Sequence, residues 1–195
     1  VGGRFDVTPR LTSTVTLFRI DYEDQIQFNS NASRFENLGE TRHQGIELSN
    51  EWRAGTDLTL GLGYTYLDTE QRNGENAGND LPNAPNHHVS AEVVYDHRPW
   101  TASLTGNYFS ESFSDAANTE EETANGGAGE LPSQVLFNTR LGRDFTLSKG
   151  RNLNLALSVH NLFDEDHYFR GVDVSPVGRI PTPGRAYMLA AQFDF

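Results

Sequence analysis

Apolar residues recur at every second position along most of this chain, and that period constrains the fold more than any other feature. In 58–66, Leu58, Leu60, Leu62, Tyr64 and Tyr66 fall on one side, with Thr59, Gly61, Gly63 and Thr65 on the other. The pattern returns with Val89, Ala91, Val93 and Tyr95, then with Leu153, Leu155, Leu157 and Val159. It closes the chain with Tyr187, Leu189, Ala191, Phe193 and Phe195. Successive side chains of a strand point to opposite faces, so a period of two is a strand signal. No long segment carries apolar residues at i, i+3, i+4 and i+7. The longest apolar runs, such as 186–191, fall far short of the roughly 18–20 residues of a membrane helix, which excludes a helical membrane protein.

The spacing predicts strands over 1–5, 11–25, 36–53, 57–68, 87–97, 99–111, 133–146, 151–163 and 184–195. Segment 11–25 is the least regular, because Val15 and Leu17 oppose Phe18, Ile20 and Tyr22. The connections alternate in length. Those at 6–10, 53–56, 96–99 and 147–150 are short, and those at 27–35, 69–86, 112–132 and 164–183 are longer. A transmembrane β-barrel sorts its connections in this way, with tight periplasmic turns at one end and long extracellular loops at the other. A soluble sandwich or lipocalin-like barrel also alternates, but its solvent face carries Lys and Glu. Here the opposite face holds Gly61, Gly63, Thr65, Ser90, Ala156 and Ser158. Aromatic residues stand towards strand ends (Trp52, Tyr64, Tyr66, Tyr95, Trp100, Tyr108, Phe193 and Phe195), as interfacial girdles do. The expected fold is all-β: eight or nine antiparallel transmembrane β-barrel strands with short periplasmic turns and long extracellular loops.

The 195 residues carry a formal charge of −12, which argues against a nucleic-acid partner, since that needs a basic stripe. There is no Cys, hence no disulfide, thiolate zinc site or Cys nucleophile. The chain begins at Val1 without an initiator Met or a signal peptide and reads as a mature protein or a piece of a longer one.

Several segments are similar to one family. Asn37-Leu38-Gly39-Glu40-Thr41-Arg42-His43-Gln44-Gly45-Ile46-Glu47-Leu48 resembles the N-x-G…G-h-E strand of TonB-dependent outer-membrane transporters, and 18–26 and 58–68 resemble the strands on either side of it. Leu81-Pro82-Asn83-Ala84-Pro85-Asn86-His87 resembles the family's return from a long loop. Asn161-Leu162-Phe163-Asp164-Glu165-Asp166-His167-Tyr168 resembles its N-L-F-D-x-x-Y segment, and Gly184-Arg185-Ala186-Tyr187 with terminal Phe195 resembles its last strand. The matches run in family order from about Phe18 to Phe195. The resemblance implies a 22-stranded barrel of which residues 1–195 supply only the C-terminal part, without the plug domain or TonB box. It further implies a place in the bacterial outer membrane and uptake of ferric siderophores or ferric citrate. TonB would act through the missing plug, and lipid and lipopolysaccharide would surround the barrel. No cofactor, resident metal or catalytic group is implied.

Ferric complexes of that kind are usually anionic, so their pocket needs Arg, and perhaps His and Tyr, facing the lumen near the outer rim. Arg offers carboxylates a bidentate donor fork. Arg170 and Arg179 bracket the last long loop beside Tyr168, and with Arg42 and His167 they are the candidate ligand contacts. The blander reading of any single one is a loop salt bridge or a lipopolysaccharide contact. The stretch 111–130 holds Glu111, Asp115, Glu120, Glu121, Glu122 and Glu130 with no basic residue, and with Gly126, Gly127 and Gly129 it reads as a mobile, solvated loop. His87 and His88 are adjacent on a strand and so cannot both face one metal ion without a bend. Ser158 and His160 are the only compact hint of an enzyme, and no Walker, dinucleotide or zinc-protease motif is present. The alternative is a self-contained eight-stranded barrel with a structural or adhesive role. Its narrow interior must be filled by side chains, which the small lumen residues do not provide.

Overall fold

The structure, a computed structural model, describes residues 1–29, 34–170 and 178–194. Terminal Phe195 and the middle of the last long connection lie outside them. The strands are β1 (Gly2–Thr8), β2 (Leu11–Asn29), β3 (Arg34–Arg53), β4 (Leu58–Gln71), β5 (His87–His97), β6 (Trp100–Phe109), β7 (Ser112–Phe113), β8 (Glu130–Leu131), β9 (Gln134–Thr146), β10 (Asn152–His160), β11 (Tyr168–Phe169), β12 (Ile180–Pro181) and β13 (Ala186–Asp194). Nine of them form one antiparallel sheet in the order β1-β2-β3-β4-β5-β6-β9-β10-β13. The two-residue strands pair separately, β7 with β8 and β11 with β12. β1 and β13 are not neighbours, so the described residues form an open wall and not a closed eight-stranded barrel.

Register settles the two faces. Leu60 lies opposite Trp52 and Val93, Val93 opposite Leu104, and Leu141 opposite Ala102 and Leu157, which faces Leu189. This apolar row remains exposed, Leu62, Leu141 and Leu189 included, because it faces outward with nothing packed on it. Trp52, Tyr95 and Trp100 mark its short-turn end, and Tyr66, Tyr108 and Tyr187 its long-loop end. The irregular strand resolves the same way. Val15 and Leu17 align with Leu48 and Ile46 on the outward face, so Phe18, Ile20 and Tyr22 face inward. From β4 to β10 the inward face is small or polar at most positions: Gly63 opposite Ser90, Ser103 opposite Arg140, and Arg140 opposite Ser158. Membrane-spanning sheets bury their apolar side in lipid, so the wall has no internal hydrophobic core. The buried apolar residues among those described, apart from Ala156, are Leu81, Ala128 and Leu131, all in the long loops.

The connection expected at 27–35 is shorter than the sequence suggested. β2 and β3 run to 19 and 20 residues, about twice the 9–11 that span a bilayer, so their hairpin stands beyond the membrane. The sequence breaks alternation there because the register slips twice, between Tyr22 and Gln25 and between Gln25 and Ile26. Asp24 (φ 56°) and Gly39 (φ 74°) absorb the slip. Asn37 fixes it, accepting the Gly39 N–H through Oδ1 at 2.6 Å and donating to Asp24 at 3.0 Å.

Candidate functional site

The long connections gather at one end of the wall and fold onto each other. Loop 72–86 turns inward: buried Leu81 donates its N–H to Thr69 Oγ1 at 3.1 Å, on the inner face of β4. It is tied to the next loop by Asn83 N–H to Phe113 C=O at 2.7 Å, Asp80 N–H to Asn118 Oδ1 at 2.8 Å, and Asn118 Nδ2 to Asp80 C=O at 2.9 Å. Burial and the neighbouring Asp68 charge push the Asp80 carboxyl above its ordinary value.

The acidic segment 111–130, read from the sequence as a mobile, solvated loop, makes contacts of its own. β7 and β8 close it, Ser114 Oγ donates to Gly129 C=O at 2.8 Å, and Thr123 N–H donates to Ala128 C=O at 3.0 Å. Gly129 serves a close approach. It has φ 138°, and a Cβ there would meet Arg170 Nη1 at 2.5 Å and Glu122 Cα at 2.9 Å.

The motif Asn161-Leu162-Phe163-Asp164 shapes the base of the last loop. Asn161 (φ 50°) grips the Glu165 backbone on both sides, donating to its C=O at 2.9 Å and accepting its N–H at 3.0 Å. Its own N–H donates to Asn138 Oδ1 at 3.0 Å, which pins the turn to β9. The loop then delivers His167, Tyr168 and Arg170. Arg170 is buried, with its side chain 3% exposed. It donates to Tyr168 Oη at 2.9 Å and Ala128 C=O at 3.4 Å, and lies 3.5 Å from Glu122 Oε2. Arg179, half-exposed, pairs with the same Glu122 oxygen. The Tyr168 ring lies against both guanidinium groups, 5.1 Å from Arg170 and 4.6 Å from Arg179. Two of the expected residues, Arg170 and Arg179, therefore converge on one carboxylate, Glu122, which the sequence did not single out, and a third, Tyr168, packs against both. His167 lies beside them, its C=O accepting the Thr182 N–H at 2.8 Å, and it lines a rim pocket of about 270 Å³ with Tyr168 and Gln134.

Arg42 is placed differently from the expectation. It lies opposite Asp21 and Glu70, and strand parity sets it with Ile46 and Leu48 on the outward face. Its guanidinium pairs with Asp21 at 2.9 Å and Glu70 at 3.8 Å. Arg42 therefore does not face the lumen. Parity alone could have shown this, since Arg42 and Ile46 are four residues apart on one unbroken strand. The two histidines at the start of β5 separate as expected. His87 accepts or donates to Tyr64 Oη through Nδ1 at 2.9 Å, while His88 stacks on Phe109 at 4.3 Å on the other face. Ser158 contacts Arg140 Nη1 at 3.4 Å. No cluster of three or more His, Asp or Glu suited to a metal ion occurs among the described residues. A second pocket of about 300 Å³, lined by Asp80, Glu111, Glu120 and Glu130, is acidic and does not suit an anion.

An open antiparallel wall with an apolar outward band, two aromatic rims and folded loops at one end defines a segment of a transmembrane β-barrel. The chain belongs to the TonB-dependent receptor-like β-barrel family, whose model matches residues 1–162. It is 25% identical over its full length to the probable TonB-dependent siderophore receptor PiuA of Acinetobacter baumannii. It is 30% identical over 83% of its length to the metal-pseudopaline receptor CntO of Pseudomonas aeruginosa. The chain spans about a quarter of these curated relatives, 26% and 22% of their lengths. Among solved structures, the ferric citrate transporter FecA in its unliganded form superposes with a TM-score of 0.84 at 31% identity, covering 99% of this chain and 30% of FecA. The family and these neighbours are outer-membrane β-barrels of receptors and transporters.

Proposed function

We propose that this chain is the C-terminal wall of an outer-membrane transporter that takes up ferric complexes, siderophore or citrate, energised by TonB through a plug domain outside the chain. The similarity to ferric citrate and siderophore receptors supports this reading. The observation that carries it is the cluster of Arg179, Tyr168 and Arg170 at the loop end. It turns two guanidinium groups on a single carboxylate, Glu122, with the Tyr168 hydroxyl bonded to one of them, and carboxylates are the chemistry an anionic chelate presents. Arg179 and Tyr168 are the contacts proposed for ligand, with His167 at the adjoining pocket and Arg170 holding Tyr168 from behind. Arg42 belongs instead to the outward ladder of Arg19, Asp21, Glu70 and Arg72, a suitable contact for lipopolysaccharide.

The test is uptake of radioactive iron by cells expressing the full-length receptor, supplied as ferric citrate or as a ferric siderophore. Arg179→Ala is expected to weaken ligand binding about tenfold, as loss of one charge-assisted bond does, with the receptor still folded. Uptake that persists without TonB, or is indifferent to both ligand classes, overturns the proposal.

A further inference from the structure

Arg143 is an anomaly on the outward face. It lies opposite Trp100 on β6 and Leu155 on β10, and it is exposed. Its guanidinium stands 4.7 Å from the Trp100 ring centre and 4.8 Å from that of Phe145. Among the described residues no carboxylate pairs with it, in contrast to Arg42 and Arg53, which hold acidic partners.

A guanidinium on the lipid side of a barrel costs several kcal/mol at the bilayer midplane and almost nothing at the interface. Arg143 is near the short-turn end of β9, level with Trp100, the first residue of β6 and one of the rings that mark that rim. It therefore stands at headgroup depth in the periplasmic leaflet. The two rings grip the guanidinium by cation–π attraction, which leaves its N–H edges unspent. A planar fork of donors at that depth, without a carboxylate, matches a phosphate. Leu141 and Leu155 on the same face offer a track for acyl chains.

We propose that Arg143, held by Trp100 and Phe145, binds the phosphate of an anionic phospholipid in the periplasmic leaflet. The interaction stands apart from the transported ligand. The full-length receptor is titrated in detergent with phosphatidylglycerol or with phosphatidylcholine, and bound lipids are counted by native mass spectrometry. The wild type is expected to retain phosphatidylglycerol preferentially. Arg143→Gln is expected to lower that retention about fivefold, the worth of one arginine at an anionic surface, while phosphatidylcholine retention is unchanged. Equal retention of the two lipids by the wild type overturns the proposal without recourse to any variant. So does an Arg143→Gln receptor that folds, as judged by its heat-dependent gel mobility, and still holds phosphatidylglycerol as tightly. Inorganic phosphate at millimolar concentration is expected to leave the bound lipid in place. Its displacement by phosphate would show a simple anion site and count against a lipid site.

Discussion

Single residues fix this wall where two backbones or a backbone and a ring come too close for a side chain. Gly45 is the clearest case: a Cβ there would overlap the Tyr66 carbonyl oxygen and meet Phe18 Cζ at 2.9 Å. Gly45→Ala is expected to cost about 1–3 kcal/mol through overpacking, read as a lower temperature of heat-dependent gel mobility for the full-length receptor. Gly55→Ala, with open space around it, is the matched control and leaves that temperature unchanged. Asp80 sets a pH dependence. Its carboxyl is raised by burial and by Asp68, so the folded loop disfavours the charged form. That group then costs stability as pH rises through and above the ordinary carboxylate value near 4. Asp80→Asn is expected to increase hydrogen-exchange protection of the 72–86 amides at pH 7, with the gain shrinking towards pH 4. A gain that is the same at both pH values contradicts this assignment.

At the scale of elements, the long loops form a single packed layer whose central joint is Glu122 between Arg170 and Arg179. Glu122→Gln leaves the buried Arg170 charge without a counterion, a loss of about 2 kcal/mol for a partly buried pair. Trypsin is expected to cut after Arg179 faster in that variant, with cleavage after Arg72 unchanged. The strands were legible in the sequence because alternation reports directly on which face meets lipid, and their ends moved by only a few residues at most positions. The β2–β3 hairpin was not, because its upper half leaves the membrane and owes no debt to alternation there. The loop layer was hidden for a different reason. Its contacts join residues far apart in sequence, such as Glu122 with Arg170, through glycines whose usual reading is freedom. Arg170, Arg179 and Tyr168 were found by their chemistry, while Glu122 was one acid among six in its segment.

For the whole molecule, the wall exposes one row of unpaired backbone groups on β1 and another on β13 among the described residues. In lipid such edges are not tolerated. The 195-residue chain expressed alone is therefore expected to associate through its edges on refolding into detergent, giving mixed oligomers on a sizing column. A sharp monomer with heat-dependent gel mobility would contradict this. The order of strands has a kinetic consequence as well. Every pairing in the main sheet joins long strands that follow each other along the chain, so each can form as a local hairpin before the next is added. Loop closure is then entropically cheap at every step, and folding speed tracks how local the contacts are. Growth of this wall can proceed as a zipper, one stave at a time, and the slow event for a barrel built this way is the last one, when its first and final staves must find each other across the full length of the chain.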